Sequence, residues 1–151
     1  MDQATIDGLF EQLTDCWNRM DFDAMRGLWV DGPTQPLYIA EEAAEPMSDW
    51  PAVEAYWRDT RQSIAAVRID YRLLAVQPVA DGLANVLFAL TWRARMAAGG
   101  PPIGGDNRGV ATVCETAGGP RLVAYVEAPL APMPFLQDVY RQHGRDWVDA
   151  P

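Results

Sequence analysis

The sequence predicts an α+β fold in which three helices come first and an antiparallel meander follows, and three observations carry that reading. Apolar residues recur every three or four positions as far as Ala65 and every second position beyond it, and the second half is cut by glycine-centred turns. At 151 residues the chain has room for one core.

Over 5–20, Ile6, Leu9, Phe10, Leu13, Cys16, Trp17 and Met20 form one stripe of an amphipathic helix. Asp21 and Asp23 offer capping oxygens to a shorter second helix that buries Met25, Leu28 and Trp29 and stops at Asp31-Gly32-Pro33. A short strand over 35–40 precedes an acidic, alanine-rich loop. Ser48 or Asp49 then caps a third helix with Trp50, Val53, Tyr56, Trp57, Thr60 and Ile64 on one face. Strands follow over 67–79, 83–96, 110–116 and 121–128, with hairpin turns at Asp81-Gly82 and 117–120 and a longer glycine-proline loop over 99–105. Val86, Phe88, Leu90, Trp92, Ala94 and Met96 make one strand face wholly apolar, while Leu87, Ala89, Thr91, Arg93 and Arg95 turn polar along the other. Both sides of such a sheet need cover. Helices supply one cover, and the all-apolar face motivates a homodimer, because a monomer would expose too large an apolar patch.

Composition excludes several classes of function. The 21 acidic residues outnumber 12 basic ones, a net charge of −9 that repels nucleic acid and anionic lipid, and no apolar run is long enough to span a membrane. All twelve cations are arginine, so lysine Schiff-base chemistry and a Walker-type phosphate lysine are ruled out. Ser48 and Ser63 lie in no nucleophile-elbow motif, and His143 is the single histidine. Cys16 and Cys114 stand far apart without zinc-ligand spacing, so neither a metal nor another cofactor is expected. The N-terminus carries acids where a secretion signal needs a basic stretch, so the expected location is cytoplasmic.

Four segments carry a resemblance: Asp21-Phe22-Asp23-Ala24-Met25 with Leu28-Trp29; Tyr38-Ile39 followed by residues 48–57; Arg108-Gly109-Val110-Ala111-Thr112; and the turn and strand over 118–125. In this order the chain resembles the cone-shaped NTF2-like superfamily, in particular ketosteroid isomerase and the SnoaL-like proteins. The resemblance implies an NTF2-like cone over 1–132, three helices packed on a strongly curved antiparallel sheet, with 133–151 as a C-terminal extension bearing a tail helix. Many SnoaL-like relatives carry histidines in the last strand. Here that strand holds Ala124, Val126 and Glu127, so acid-base work falls to carboxylates, tyrosines or water.

Glu127 stands out in the apolar run 122–128. A buried carboxylate needs a partner or a raised pKa, which makes it either a general base or half of a salt bridge to Arg93, Arg95 or Arg108. Strand alternation puts Tyr125 on the same face, as an oxyanion donor or as core filling. Arg93, Arg95 and Arg108 flank the glycine loop, where they either anchor a ligand anion or pair with Glu127, Asp106 and Glu115. Trp17, Tyr38, Tyr56, Trp57 and Trp92 either border an aromatic pocket or fill the core. His143 belongs to a polar helix end, and reaches the site only where the tail folds over the cone.

The expectation is a cofactor-independent isomerase, dehydratase or other lyase acting on a small apolar, aromatic or polycyclic molecule. Glu127, Tyr125 and Arg108 are its catalytic candidates, and Trp17, Tyr38, Tyr56, Trp57 and Arg93 its binding candidates. The rival readings are a ligand-binding or assembly module and the small subunit of a ring-hydroxylating oxygenase.

Overall fold

A computed structural model describes residues 1–143. Helix α1 (Gln3–Arg19) is capped by Asp2, whose side chain accepts from the Thr5 amide at 2.8 Å, and ends at Met20 in the left-handed region. Its stripe Ile6, Leu9, Phe10, Leu13, Cys16 and Trp17 is buried. Helix α2 (Phe22–Arg26) is capped by Asp21, and the buried Leu28 and Trp29 lie just past its end. Strand β1 (Leu37–Ile39) buries Tyr38. Helix α3 (Trp50–Ser63) takes Asp49 as its cap, with Pro51 in the first turn, and buries Val53 and Trp57. Four strands follow: β2 (Ile64–Ala80), β3 (Leu83–Met96), β4 (Ile103–Thr116) and β5 (Gly119–Pro129). Helix α4 (Met133–His143) buries no residue.

The sheet order is β1-β5-β4-β3-β2. Strands β2 to β5 form the predicted meander, but β1 adds a fifth strand running parallel to β5, with Tyr38 opposite Tyr125 and Ile39 opposite Val126. That pairing brings the residues after β1 beside the end of β5. Strand β4 also begins inside the predicted glycine loop. Gly104 lies against the Trp92 carbonyl and Gly105 against its ring, and only a residue without a side chain allows so close a pairing.

Register shifts in β2, and one between Thr112 and Val113, bend the long strands so that their inner face is concave. Helix α1 lies against this face and is tied to the sheet edge by Asn18. Its side chain accepts from the Ile69 amide at 2.7 Å and donates to the Ile69 carbonyl at 3.2 Å. Beneath the helix, Val86, Phe88, Leu90 and Ala94 are buried.

This corrects the argument for a dimer made from that strand face. The all-apolar residues point into the cone, where Val86, Phe88, Leu90 and Ala94 are buried within the chain itself and Trp92 and Met96 border the space inside the cone. The outward set is Leu87, Ala89, Thr91, Arg93 and Arg95. Among the described residues, no helix is long and apolar enough to cross a membrane.

Candidate active site

The concave face leaves a cavity of about 510 Å³, within the size range of small-molecule sites. Aromatic rings form much of its wall: Trp17 from α1, Tyr56 from α3, Tyr71 from β2, Trp92 from β3 and Tyr125 from β5. The polar lining is Asn107, Glu127, Glu41, Glu42 and Asp59, with the hydroxyls of Thr60 and Ser63. No arginine, lysine or histidine lines it among the described residues.

Glu127 is the chemically distinctive group. It sits inward on β5 opposite Gly109, and the absence of a side chain at that position leaves room for the Phe88 ring. Its Oε2 accepts from the Tyr125 hydroxyl at 3.1 Å and from Asn107 Nδ2 at 3.4 Å. The Tyr125 hydroxyl is also 2.9 Å from that of Tyr71. Each hydroxyl has one proton. Because Tyr125 donates to the carboxylate, the chain must run from Tyr71 to Tyr125 to Glu127. Oε1 takes no hydrogen bond among the described residues.

Burial is the main force on this carboxyl, pushing its pKa up to about 7 against the two donors, with Glu41 and Glu42 adding repulsion. Burial raises Tyr71, Tyr125 and Tyr38 as well, so all three phenols stay protonated donors near neutral pH. Glu41 is shifted upward by burial first and by Glu42 second. Tyr56 donates to Glu42 Oε1 at 2.9 Å. A group with pKa near 7 inside an apolar cavity can both take and give a proton at neutral pH.

Solved structures of low sequence identity share this architecture. A ketosteroid isomerase-like protein from Erwinia carotovora atroseptica superposes with a TM-score of 0.71 at 14% identity, covering 85% of this chain and 96% of that one. A candidate scytalone dehydratase from Novosphingobium aromaticivorans gives a TM-score of 0.76 at 10% identity, covering 85% and 83%. An NTF2-like superfamily protein from Salmonella enterica serovar Typhimurium gives 0.71 at 14%, covering 85% and 90%. This chain has the NTF2-like fold. No family model matches its sequence, and no curated protein is significantly similar to it.

Within the NTF2-like cone, the sequence candidates separate. Glu127, Tyr125, Trp17 and Tyr56 meet at the cavity. Tyr38 lies one layer behind, stacked on Tyr125 with centroids 5.2 Å apart, and its buried hydroxyl has no hydrogen-bond partner. Trp57 is core, stacked on Phe22 at 5.7 Å.

Arg108 and Arg93 do not reach the cavity. They alternate with the inward Asn107 and with Ala94, so the pleat sends both side chains to the outer face, where both residues are exposed. None of Arg93, Arg95 and Arg108 forms a salt bridge with Glu127 among the described residues. The arginine anchor and the salt-bridge alternative are therefore both replaced by a tyrosine and asparagine shell. His143 closes the described part of α4 and is exposed.

Five polar or aromatic lining residues were not singled out in the sequence: Tyr71, Asn107, Glu41, Glu42 and Asp59. The inward phase of β2 and β4 marks Tyr71 and Asn107, and a polar Asn107 in phase with buried Ala111 and Val113 was a usable signal. Nothing local marks Glu41 and Glu42, because the parallel β1–β5 pairing places them.

Proposed function

We propose that the cavity performs cofactor-independent proton transfer on a small, largely apolar, aromatic or polycyclic molecule, as an isomerase or a dehydratase. The observation that carries this reading is the Glu127 carboxyl. It is buried with a pKa of about 7, its Oε2 is held by Tyr125 and Asn107, and its Oε1 is unengaged. In the ionised form Oε1 takes a proton from substrate carbon. In the protonated form the same group returns it to a neighbouring carbon or to a leaving oxygen.

Tyr71 and Tyr125 commit their protons to the relay, so they orient and tune the base. Trp17, Tyr56 and Trp92 offer faces for a planar substrate. The structural neighbours described as ketosteroid isomerase-like and dehydratase proteins support this class.

Carbon-13 NMR of the Glu127 side chain tests the reading. The expected result is a carboxyl titrating near pH 7 that shifts when an aromatic ligand binds. A midpoint at the ordinary value for glutamate would overturn it.

We also infer a homodimer, now through the outer face of the sheet. Leu87 is 41% exposed there, next to Val110, with Val126 and Ile39 continuing the row across β5 and β1. Sedimentation at micromolar concentration is expected to give a dimer, and Leu87→Glu a monomer. A monomeric wild type would remove the inference.

A further inference from the structure

We propose that the cavity selects ligands carrying a protonated amine on an aromatic-sized apolar body, held by Glu41 and Glu42 at one end and by the aromatic wall along its length. This rests on the reading of the cavity as a small-molecule site and adds the charge of its occupant.

Four observations point to a cation. First, the lining brings Glu41, Glu42 and Glu127 together with Asp59. Among the described residues no basic side chain lines the cavity, and none of the three glutamates forms a salt bridge. Carboxylates sharing a partly desolvated space repel one another, and a guest cation relieves that repulsion.

Second, Asn107 is 2% exposed and lines the cavity. Its Nδ2 donates to Glu127, but its Oδ1 accepts nothing. A buried acceptor without a donor is unfavourable. An ammonium supplies donors only, which is what the unengaged carboxylate oxygens of the lining lack.

Third, the cavity of about 510 Å³ is the size of an organic molecule, so a cation bound there can carry an apolar body. Fourth, the Trp17, Tyr56, Tyr71 and Trp92 rings that line the same space are the surfaces on which a cation and its aromatic body rest favourably. A ligand carboxylate or phenolate would meet four acidic residues and, among the described residues, no basic one in the lining.

Calorimetry with three probes of one size tests this: 2-(1-naphthyl)ethylammonium, 2-(1-naphthyl)ethanol and 1-naphthylacetate. The ammonium is expected to bind at least tenfold more tightly than the alcohol, and the acetate more weakly than either. Glu41→Gln and Glu42→Gln should each cut the ammonium-to-alcohol ratio several-fold while leaving alcohol binding within twofold, which also shows that each variant is folded. Equal binding of ammonium and alcohol, preference for the acetate, or binding of no probe would overturn the proposal.

The two readings fail separately. An amine preference with Glu127 titrating at its ordinary value leaves the selectivity standing and removes the proton transfer. Glu127 titrating near 7 without an amine preference does the reverse.

Discussion

Glu127→Gln is expected to lower turnover by two or more orders of magnitude while keeping the fold. The amide is nearly isosteric and can still accept from Tyr125 and Asn107, so the cavity wall survives, but it can neither take up nor return a proton. Loss of a positioned general base costs typically 10²–10⁴-fold. The measurement is kcat on the same preparation whose melting curve is recorded. Full activity in the variant would remove Glu127 from the chemistry.

Stability gives an independent reading of the same residue. The folded pKa of about 7 stands above the ordinary 4.5, so the native state holds a proton that the unfolded chain has already released. The stability tied to that proton is fully present below pH 4.5 and is lost as pH rises to about 7. The whole shift corresponds to about 3 kcal/mol. Glu41 is shifted in the same direction and adds to the slope. Urea unfolding between pH 4.5 and 8 should therefore show the wild type losing more stability than Glu127→Gln. Parallel pH profiles for the two proteins would contradict the buried-carboxyl assignment.

The second large effect is expected at Gly109. A Cβ there would collide with Phe88 Cζ and stand 2.5 Å from the Val126 carbonyl oxygen, well inside contact distance. Neither neighbour can retreat. The carbonyl is backbone in the next strand, and the Phe88 ring is wedged against Phe10, Tyr71 and Tyr125 with centroids 5.2 to 5.6 Å away.

Gly109→Ala should therefore cost about 3 kcal/mol, at the upper end for overpacking, and lower the melting temperature by roughly 10 °C. Because Phe88 stacks on Tyr125, the strain should also displace the hydroxyl that holds Glu127, reducing kcat beyond what the lost stability explains. A Gly109→Ala protein that melts with the wild type would show that β4 and β5 yield at this point.

Local periodicity made most of the elements legible. The buried stripe of α1, a cap for α3 at Ser48 or Asp49 and both ends of β3 could be read because each depends on neighbours a few positions away. Glu127 and Tyr125 were legible for the same reason: a charged residue in an apolar strand, with a phenol two positions before it, shares one face in any sheet. Pleat phase could also have placed Arg93 and Arg108 outside, had the inward face of the hairpin been identified. Both faces of β3 carry apolar residues, so the sequence alone left that choice open, and the helices decided it by covering Val86, Phe88 and Leu90.

The rest depends on contacts between distant segments. The parallel pairing of β1 with β5 sets Glu41 and Glu42 beside a carboxylate more than eighty positions later, and strand curvature brings the hydroxyls of Tyr71 and Tyr125 to 2.9 Å across 54 residues. Neither separation leaves a periodic trace in the sequence. The sequence by itself determined which residue types were present to do chemistry and which strand faces they shared. Tertiary structure decided which of them share a cavity, and by burying Glu127 there it turned an ordinary carboxylate into one that exchanges its proton near neutral pH.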